Sequence, residues 1–386
     1  MEEIIALKGV RRSGKSTLIY QVIDNLLNKV EPKNILYFNF DEPLNEKSTN
    51  TIELIFKTFL EINNPRGRKY LFFDEIQNIR EWEKWVKKYY DIHGSEIKFI
   101  VTGSNTTMLS DKLSKLLTGR MLTNDIFPLS FNEYLKFNNC EIKDIALQKE
   151  EIKHYFNKYL TDGGFPETVL EKDSEINTIR LKEYFDSILL RDVVSAQNIR
   201  DSAKLIELSH YLMTNISSLF SYNKISNATG INIHSLQEYM HYLENAYLIF
   251  QIRFFSYSVK DSIIIQKPRK VYCIDNGLRN AASFMFSKDE GRLAENLVFI
   301  ELKRRGKEIY YWKGKGEVDF VIKNKDNSLT AINVSYTNKI NEREIKSLMD
   351  FKKEFRAKVK EMIILSRDIE KKEQGLNFIP LWKWVR

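Results

Sequence analysis

A glycine-bounded loop near the start of the chain constrains the fold more than any other feature of the sequence. An apolar run at residues 4–7 leads into the pattern Gly9-x-x-x-x-Gly14-Lys15-Ser16, and helical spacing of apolar residues follows it. Strand, glycine loop and helix in this order are the setting of a phosphate-binding loop. A plain turn between a strand and a helix is the alternative interpretation.

A bound triphosphate explains why these residue types occur at this spacing. Gly9 and Gly14 let the backbone N–H groups turn toward the phosphates, and the N-terminus of the helix adds positive potential. Lys15 is expected to reach the β- and γ-phosphates, and the Ser16 hydroxyl is expected to ligate Mg²⁺. The residues predicted to contact the nucleotide are Gly9, Arg11, Arg12, Ser13, Gly14, Lys15, Ser16 and Thr17.

A second motif places two adjacent acids at the end of a strand. Residues 34–40 are typical of a strand, residues 51–62 of a helix, and the apolar run 70–73 of a strand that ends in Asp74 and Glu75. Asp74 is predicted to hold Mg²⁺, and Glu75 is predicted to polarise the attacking water. A pair of acids in a solvated turn is the alternative, which the preceding loop motif disfavours.

Polar residues also follow the next predicted strand, residues 98–101. A polar side chain at the end of a strand beside the acid pair can contact both the γ-phosphate and the attacking water. Thr102 and Asn105 are therefore candidate sensor residues. A helix cap formed by Ser104 or Asn105 is the alternative.

A later arginine is a candidate for stabilising charge in the transition state. Arg120 follows a predicted helix at Leu109–Leu117. Its guanidinium is expected to act on the γ-phosphate of its own site or of a neighbouring copy, and the second case requires a homo-oligomer. A surface or interdomain ion pair is the alternative.

Composition narrows the class of protein. A length of 386 residues favours roughly two to four domains, and no apolar run approaches the length of a bilayer span. Two cysteines and five histidines provide no disulfide framework and no basis for a structural zinc. We therefore expect a soluble, cytoplasmic protein without a membrane contact.

The charge is unevenly placed along the chain. The formal net charge is +8, and residues 301–386 carry the whole of this excess. A basic C-terminal segment is suited to a DNA or protein client. A solvated, lysine-rich surface is the alternative.

Taken together, the motifs resemble those of the AAA-type ATPases of archaea and bacteria that carry a C-terminal domain of unknown function. The matching stretches are residues 9–17, 73–77, 102–105, 117–120 and 128–134. The resemblance implies an α/β fold with the parallel sheet core of P-loop NTPases. It also implies ATP and Mg²⁺ as cofactors, and hydrolysis of ATP that drives a conformational change on a client.

The same resemblance, together with breaks in the helical pattern, predicts four domains. These are a P-loop ATPase core (1–130), a helical lid or linker (131–200), a winged helix (201–265) and a restriction-endonuclease-like domain (266–386). The third helix of the winged helix, His234–Ala246, contains no lysine or arginine. Because a helix that reads DNA needs cations for phosphates, an interdomain or protein-binding role is favoured over DNA reading.

The last predicted domain resembles the PD-(D/E)xK restriction endonucleases, with part of the catalytic set replaced. The resemblance assigns Glu295 and Asp319 as carboxylates of a metal site. At the third position, Asn333 replaces an acid and Ser335 replaces the lysine that orients water. A degenerate fold that binds without cutting is therefore expected.

The sequence predicts an ATP-hydrolysing switch or motor that acts on an unknown client. One alternative is a nucleic-acid-binding or nuclease protein that ATP gates. Another is a nucleotide-sensing regulatory module that binds a partner protein.

Overall fold

The computed structural model describes residues 3–42, 46–105, 116–199, 201–256, 267–283 and 289–386. The chain divides into two compact units, Met1–Phe127 and Pro128–Arg386. The finer division of the second unit into three domains stays a prediction. Most of the predicted helix Leu109–Leu117 lies outside the described residues.

The first unit is built around a parallel sheet. Its strands are β1 (Ile4–Lys8), β2 (Ile35–Asn39), β3 (Lys69–Asp74), β4 (Ile97–Gly103) and β5 (Met121–Asp125). They lie in the order β2-β3-β4-β1-β5, and every neighbouring pair is parallel. The helices are α1 (Lys15–Leu27), α2 (Thr49–Asn63) and α3 (Trp82–His93). The predicted α/β class with a parallel core is confirmed, and β5 is an addition to the predicted strands.

Helices cover both faces of this sheet. Neighbouring residues of a strand point to opposite faces. Phe72 therefore packs with Ile19 of α1, whereas Phe73 packs in the core that contains Phe56 of α2 and Trp85 of α3. Burial on both faces explains the continuous apolar run in β3. Because the strands are parallel, the loops that follow β1, β3 and β4 meet at one edge of the sheet.

The second unit begins with helices. They are α4 (Phe131–Phe137), α5 (Lys149–Asp162), α6 (Pro166–Leu170), α7 (Ser174–Ser187), α8 (Ser202–Thr214), α9 (Tyr222–Thr229), α10 (Ile233–Asn245), α11 (Asn276–Ala282), α12 (Glu290–Arg304), α13 (Glu342–Phe355) and α14 (Leu381–Trp384). A π-helical segment, Ile188–Ser195, extends α7. Residues 163–165 form the turn between α5 and α6. No helix in the described ranges is long and apolar enough to cross a bilayer.

A mixed sheet completes the second unit. Its strands are β6 (Ser218–Phe220), β7 (Ile249–Phe254), β8 (Arg269–Cys273), β9 (Glu308–Lys313), β10 (Glu317–Lys323), β11 (Leu329–Ser335), β12 (Val359–Ser366), β13 (Lys371–Glu373) and β14 (Leu376–Pro380). They lie in the order β13-β14-β12-β11-β10-β9-β7-β8-β6. Strands β9 and β10 pair antiparallel.

The pairing of β8 differs from the sequence analysis, which assigned this strand to the last domain. It pairs antiparallel with β6 and with β7, and β7 in turn pairs parallel with β9. The sheet therefore runs continuously across the predicted boundary after residue 265. This continuity brings Lys270 of β8 close to α12 and β10.

Candidate nucleotide-binding site

The loop between β1 and α1 has a backbone that requires its glycines. A Cβ atom on Gly9 would collide with the carbonyl oxygen of Ile126. Gly14 has a φ of 96°, in the left-handed region that favours glycine, and α1 begins directly after it at Lys15. The first N–H groups of a helix have no acceptor within that helix, so the loop directs backbone donors toward a ligand.

Lys15 is buried in this loop, with 3% of its side chain exposed. Its Nζ donates to the carbonyl oxygens of Gly9 and Val10, each at 3.0 Å. The same Nζ lies 3.8 Å from Oε1 of Glu75. The glycine loop and the acid pair, which the sequence analysis identified separately, therefore meet in one site.

Thr102, near the end of β4, orients both acids. Its hydroxyl donates to Oδ1 of Asp74 and accepts the Glu75 N–H at 3.0 Å. The Tyr37 hydroxyl donates to the second carboxylate oxygen of Asp74 at 3.2 Å. Burial raises the pKa of Tyr37, so this hydroxyl stays protonated and remains a donor. The candidate sensor Thr102 is thus a positioning residue for the acid pair.

Gln77 is a site residue that the sequence analysis missed. Its Nε2 donates to Oε2 of Glu75 at 2.6 Å and to the Ser104 hydroxyl oxygen at 3.2 Å. Glu75 has a φ of 51°, and the short helical turn Ile76–Asn78 follows it. This reversal brings the amide back to the acid. An amide two positions after the acid pair was the signal in the sequence.

The other predicted loop residues differ in burial. Ser13 is buried, and its hydroxyl oxygen has no hydrogen-bond partner in the part of the chain that the structure describes. Arg11 forms an ion pair within the first unit, Arg12 and Thr17 are exposed, and Ser16 is half-buried in the first turn of α1. A buried hydroxyl without a partner in the described residues, N–H donors, and an ammonium beside the Glu75 carboxylate fit an anionic ligand that carries a hard cation.

Asn105 is buried two residues after the end of β4, at the same edge of the sheet. Ser104, between Asn105 and the strand, contacts Gln77 as described above. The sensor role of Asn105 stays a prediction.

Arg120 lies at the opposite edge of the sheet, so the predicted role in its own site is wrong. Its Nε pairs with Asp91 at 3.2 Å, and its carbonyl oxygen accepts the N–H of Ile4 at 2.7 Å, where β1 begins. The five residues of β1 separate this point from the loop by roughly 16 Å. Because β5 runs parallel to β1, the residue that precedes β5 lies beside the start of β1. The observed ion pair corresponds to the alternative that the sequence analysis gave.

The second unit contains a pocket of about 610 Å³. Two carboxylates that the sequence analysis predicted for a metal site line this pocket. Glu295 on α12 and Asp319 on β10 each lie 2.9 Å from the Nζ of Lys270 on β8. The sequence analysis missed Lys270.

Asn333 is committed to structural hydrogen bonds. It is fully buried, and its Nδ2 donates to Oε2 of Glu344 and to the Ser347 hydroxyl oxygen, both at 2.9 Å on α13. Its Oδ1 accepts the N–H of Asp319 at 3.1 Å. Ser335, which the sequence analysis predicted in place of a lysine, lies at the end of β11.

Three parts of the chain match families of known domains. Residues 1–135 match a family described as an AAA domain. Residues 153–289 and 290–384 match two domains of unknown function, DUF8612 and DUF4143. The chain is also similar to a solved structure, the Walker-type ATPase PABY2304 of Pyrococcus abyssi, with 14% identity and a TM-score of 0.43 over 72% of this chain and 90% of that chain.

Two curated relatives extend over almost the whole chain. The uncharacterized protein MJ1544 of Methanocaldococcus jannaschii is 36% identical over 99% of this chain and 88% of its own length. An uncharacterized protein of Haemophilus influenzae is 30% identical over 99% of this chain and 94% of its own length. The chain therefore belongs to the same family as these two proteins, and its residues 1–135 match the AAA domain family.

Proposed function

We propose that the first unit binds ATP with Mg²⁺ and hydrolyses ATP to ADP and phosphate. The observation that carries this proposal is the position of the Lys15 ammonium, inside the glycine loop and 3.8 Å from the Glu75 carboxylate. Phosphoryl transfer to water requires a cation that binds the phosphates and a base that accepts a proton from the water. Lys15, the first residue of α1, is the candidate cation, and Glu75 is the candidate base.

Each residue of the site has a distinct proposed role. The N–H groups of the loop and Lys15 bind the phosphates, and Ser16 and Asp74 hold Mg²⁺. When bound, the metal neutralises charge on the phosphate oxygens. Glu75 accepts a proton from the attacking water, and Asn105 contacts the γ-phosphate.

Substitution of Lys15 and Glu75 tests this proposal. Lys15→Ala is expected to abolish ATP binding, because the buried cation is lost. Glu75→Gln is expected to leave binding intact and to lower the hydrolysis rate by roughly 10²–10⁴-fold, the usual contribution of a general base. Phosphate release measures the rate, and calorimetry with Mg·ATP measures binding.

Exposed residues of the same types provide matched controls. Lys29→Ala, just beyond α1, and Glu61→Gln, on α2, change exposed side chains of the same unit and should leave both measurements unchanged. Wild-type hydrolysis by purified Lys15→Ala would contradict the proposed function. Full activity of Glu75→Gln would contradict the role of that residue.

For the second unit, we propose a winged helix followed by a restriction-endonuclease-like fold. The winged helix is supported by the order of its elements, which is α8, β6, α9, α10, β7 and, as the last strand, β8. The placement of α12 before the strands β9, β10 and β11 supports the restriction-endonuclease-like fold. The AAA domain would then act on a client through this unit.

A protein client is favoured over DNA by one contact in α10. Glu244 is half-buried, and its carboxylate accepts the backbone N–H of Gln251 at 2.8 Å and the Gln251 Nε2–H at 2.9 Å. The last acid of this helix is thus part of the packing, and α10 contains no lysine or arginine for phosphates. The basic charge of residues 301–386 supports the second candidate, a nucleic-acid-binding protein that ATP gates.

The rate of ATP hydrolysis with and without duplex DNA separates these candidates. A protein client predicts no change, and gating by nucleic acid predicts stimulation that salt suppresses. The predicted role of Arg120 in the site of a neighbouring copy requires an oligomer. The mass of the nucleotide-bound particle shows whether the protein forms one.

A further inference from the structure

The ammonium of Lys270 lies at the centre of three carboxylates in the pocket of the second unit. Its Nζ is 2.9 Å from Oε1 of Glu295, 2.7 Å from Oε1 of Glu317 and 2.9 Å from Oδ1 of Asp319. The Lys270 side chain is 2% exposed. Strand β8, helix α12 and strand β10 thus contribute to one buried ionic cluster.

The ammonium satisfies its full capacity as a donor within this cluster. A lysine has three N–H donors, and three carboxylate oxygens accept them. Burial lowers the pKa of Lys270, but the charges of Asp319 and Glu295 more than offset this effect and leave the pKa well above its usual value. Lys270 therefore stays charged and keeps its three bonds at neutral pH.

Further hydrogen bonds fix the acids in place. The Tyr272 hydroxyl donates to Oε1 of Glu295 at 2.7 Å, and the N–H of Val334 donates to Oδ2 of Asp319 at 2.9 Å. Lys313 pairs with the second oxygen of Glu317 at 3.2 Å. The three carboxylates are therefore directed at Lys270 by the surrounding fold.

This geometry does not fit the divalent metal that the resemblance to restriction endonucleases implies. A magnesium ion requires oxygen ligands at about 2.0–2.1 Å, and an ion that shared these three oxygens would overlap the ammonium. With Lys270 in place, no group of three or more His, Cys, Asp or Glu residues in the described ranges could hold a metal ion. Asn333 also directs its amide into α13, as described above.

We propose that the Lys270 ammonium permanently replaces a divalent cation in this pocket. The acids then have a structural role, because with Lys270 they join β8, α12 and β10. The second unit therefore does not cleave phosphodiesters by metal-assisted hydrolysis. The proposal does not rest on the ATPase function. It has a direct corollary, because removal of Lys270 leaves three convergent carboxylates that should bind a divalent cation.

Binding of Mn²⁺ to the nucleotide-free full chain, followed by electron paramagnetic resonance, tests the proposal. Wild type and Asp319→Asn should bind equal amounts of Mn²⁺ at about 1 mM, since the pocket holds none in either protein. Lys270→Met should gain one ion, with an affinity at least about tenfold above any weak binding by wild type. The double variant Lys270→Met/Asp319→Asn should lose this ion again.

A matched lysine controls for the change of charge. Lys323→Met, exposed at the end of β10, should gain no ion. Two results would overturn the proposal. One is Mn²⁺ binding by wild type that is lost in Asp319→Asn, and the other is Mg²⁺-dependent DNA cleavage by wild type that is lost in the same variant. A folded Lys270→Met protein that gains no ion would also overturn it. If that variant does not fold, the comparison of wild type with Asp319→Asn still decides.

Discussion

At the scale of single residues, the geometry of the acid pair depends on the hydroxyl of Thr102. This hydroxyl is fully buried, donates to Asp74 and accepts the Glu75 N–H. Its removal leaves a buried N–H without this acceptor, at a cost of about 1–3 kcal/mol, and frees the Asp74 carboxylate to rotate. We expect Thr102→Val to lower kcat for ATP hydrolysis by roughly tenfold or more and to raise the Mg²⁺ concentration that gives half-maximal activity. Steady-state rates over a Mg²⁺ titration measure both effects.

Thr102→Ser is the matched control, because it removes the methyl group and keeps the hydroxyl. It should retain most of the activity and the Mg²⁺ dependence of wild type. An equal loss in both variants would show that packing of the methyl group, and not the hydrogen bonds, supports the site.

At the scale of elements, a buried carboxylate joins two helices to the end of a strand. Asp275 follows β8 and caps α11 by accepting the Leu278 N–H at 3.0 Å. It also accepts the Gly164 N–H at 2.7 Å, from the turn between α5 and α6. A side chain on Gly163 would collide with this carboxylate, so the turn requires a glycine there. Burial raises the pKa of Asp275 to about 6.

This raised pKa predicts a pH dependence of stability. The folded state holds the Asp275 proton more tightly than the unfolded chain, where the pKa is about 4. The contribution to stability is therefore fully present below about pH 4 and is lost as the pH rises through about 6. The free energy of unfolding of wild type, relative to Asp275→Asn, should fall by roughly 2–3 kcal/mol between about pH 4 and about pH 7.

Urea unfolding of both proteins at each pH measures this difference. The carboxamide of Asp275→Asn does not titrate, so effects of other groups cancel in the comparison. Asp173→Asn, at the exposed N-cap of α7, controls for the change of residue type. A difference between wild type and Asp275→Asn that stays constant with pH would contradict the prediction.

At the scale of the whole molecule, the sequence predicted features that neighbouring residues encode and missed those that distant residues build. The glycine loop and the acid pair follow from local patterns, and the parallel direction of β1 and β3 then brings them together. The role of Arg120 in its own site was wrong because the direction of β5 decides the edge on which it lies, and no strand was predicted there. Lys270 is 25 residues from Glu295 and 49 from Asp319, so no local pattern announces their contact.

The division of the chain into two compact units predicts two unfolding transitions. Binding of a nucleotide should raise the temperature of only the transition that belongs to the first unit. Each unit has its own apolar core, and the proposed ATP site lies wholly within the first. In calorimetry of the full-length Glu75→Gln variant, Mg·ATP at 100 times its Kd should stabilise the first unit by about 2.7 kcal/mol. The second transition, identified as the one that Asp275→Asn lowers, should not move. Adding Lys15→Ala should remove the shift. A single transition that Mg·ATP shifts as a whole would contradict the prediction, because it would mean that the two units unfold as one cooperative block.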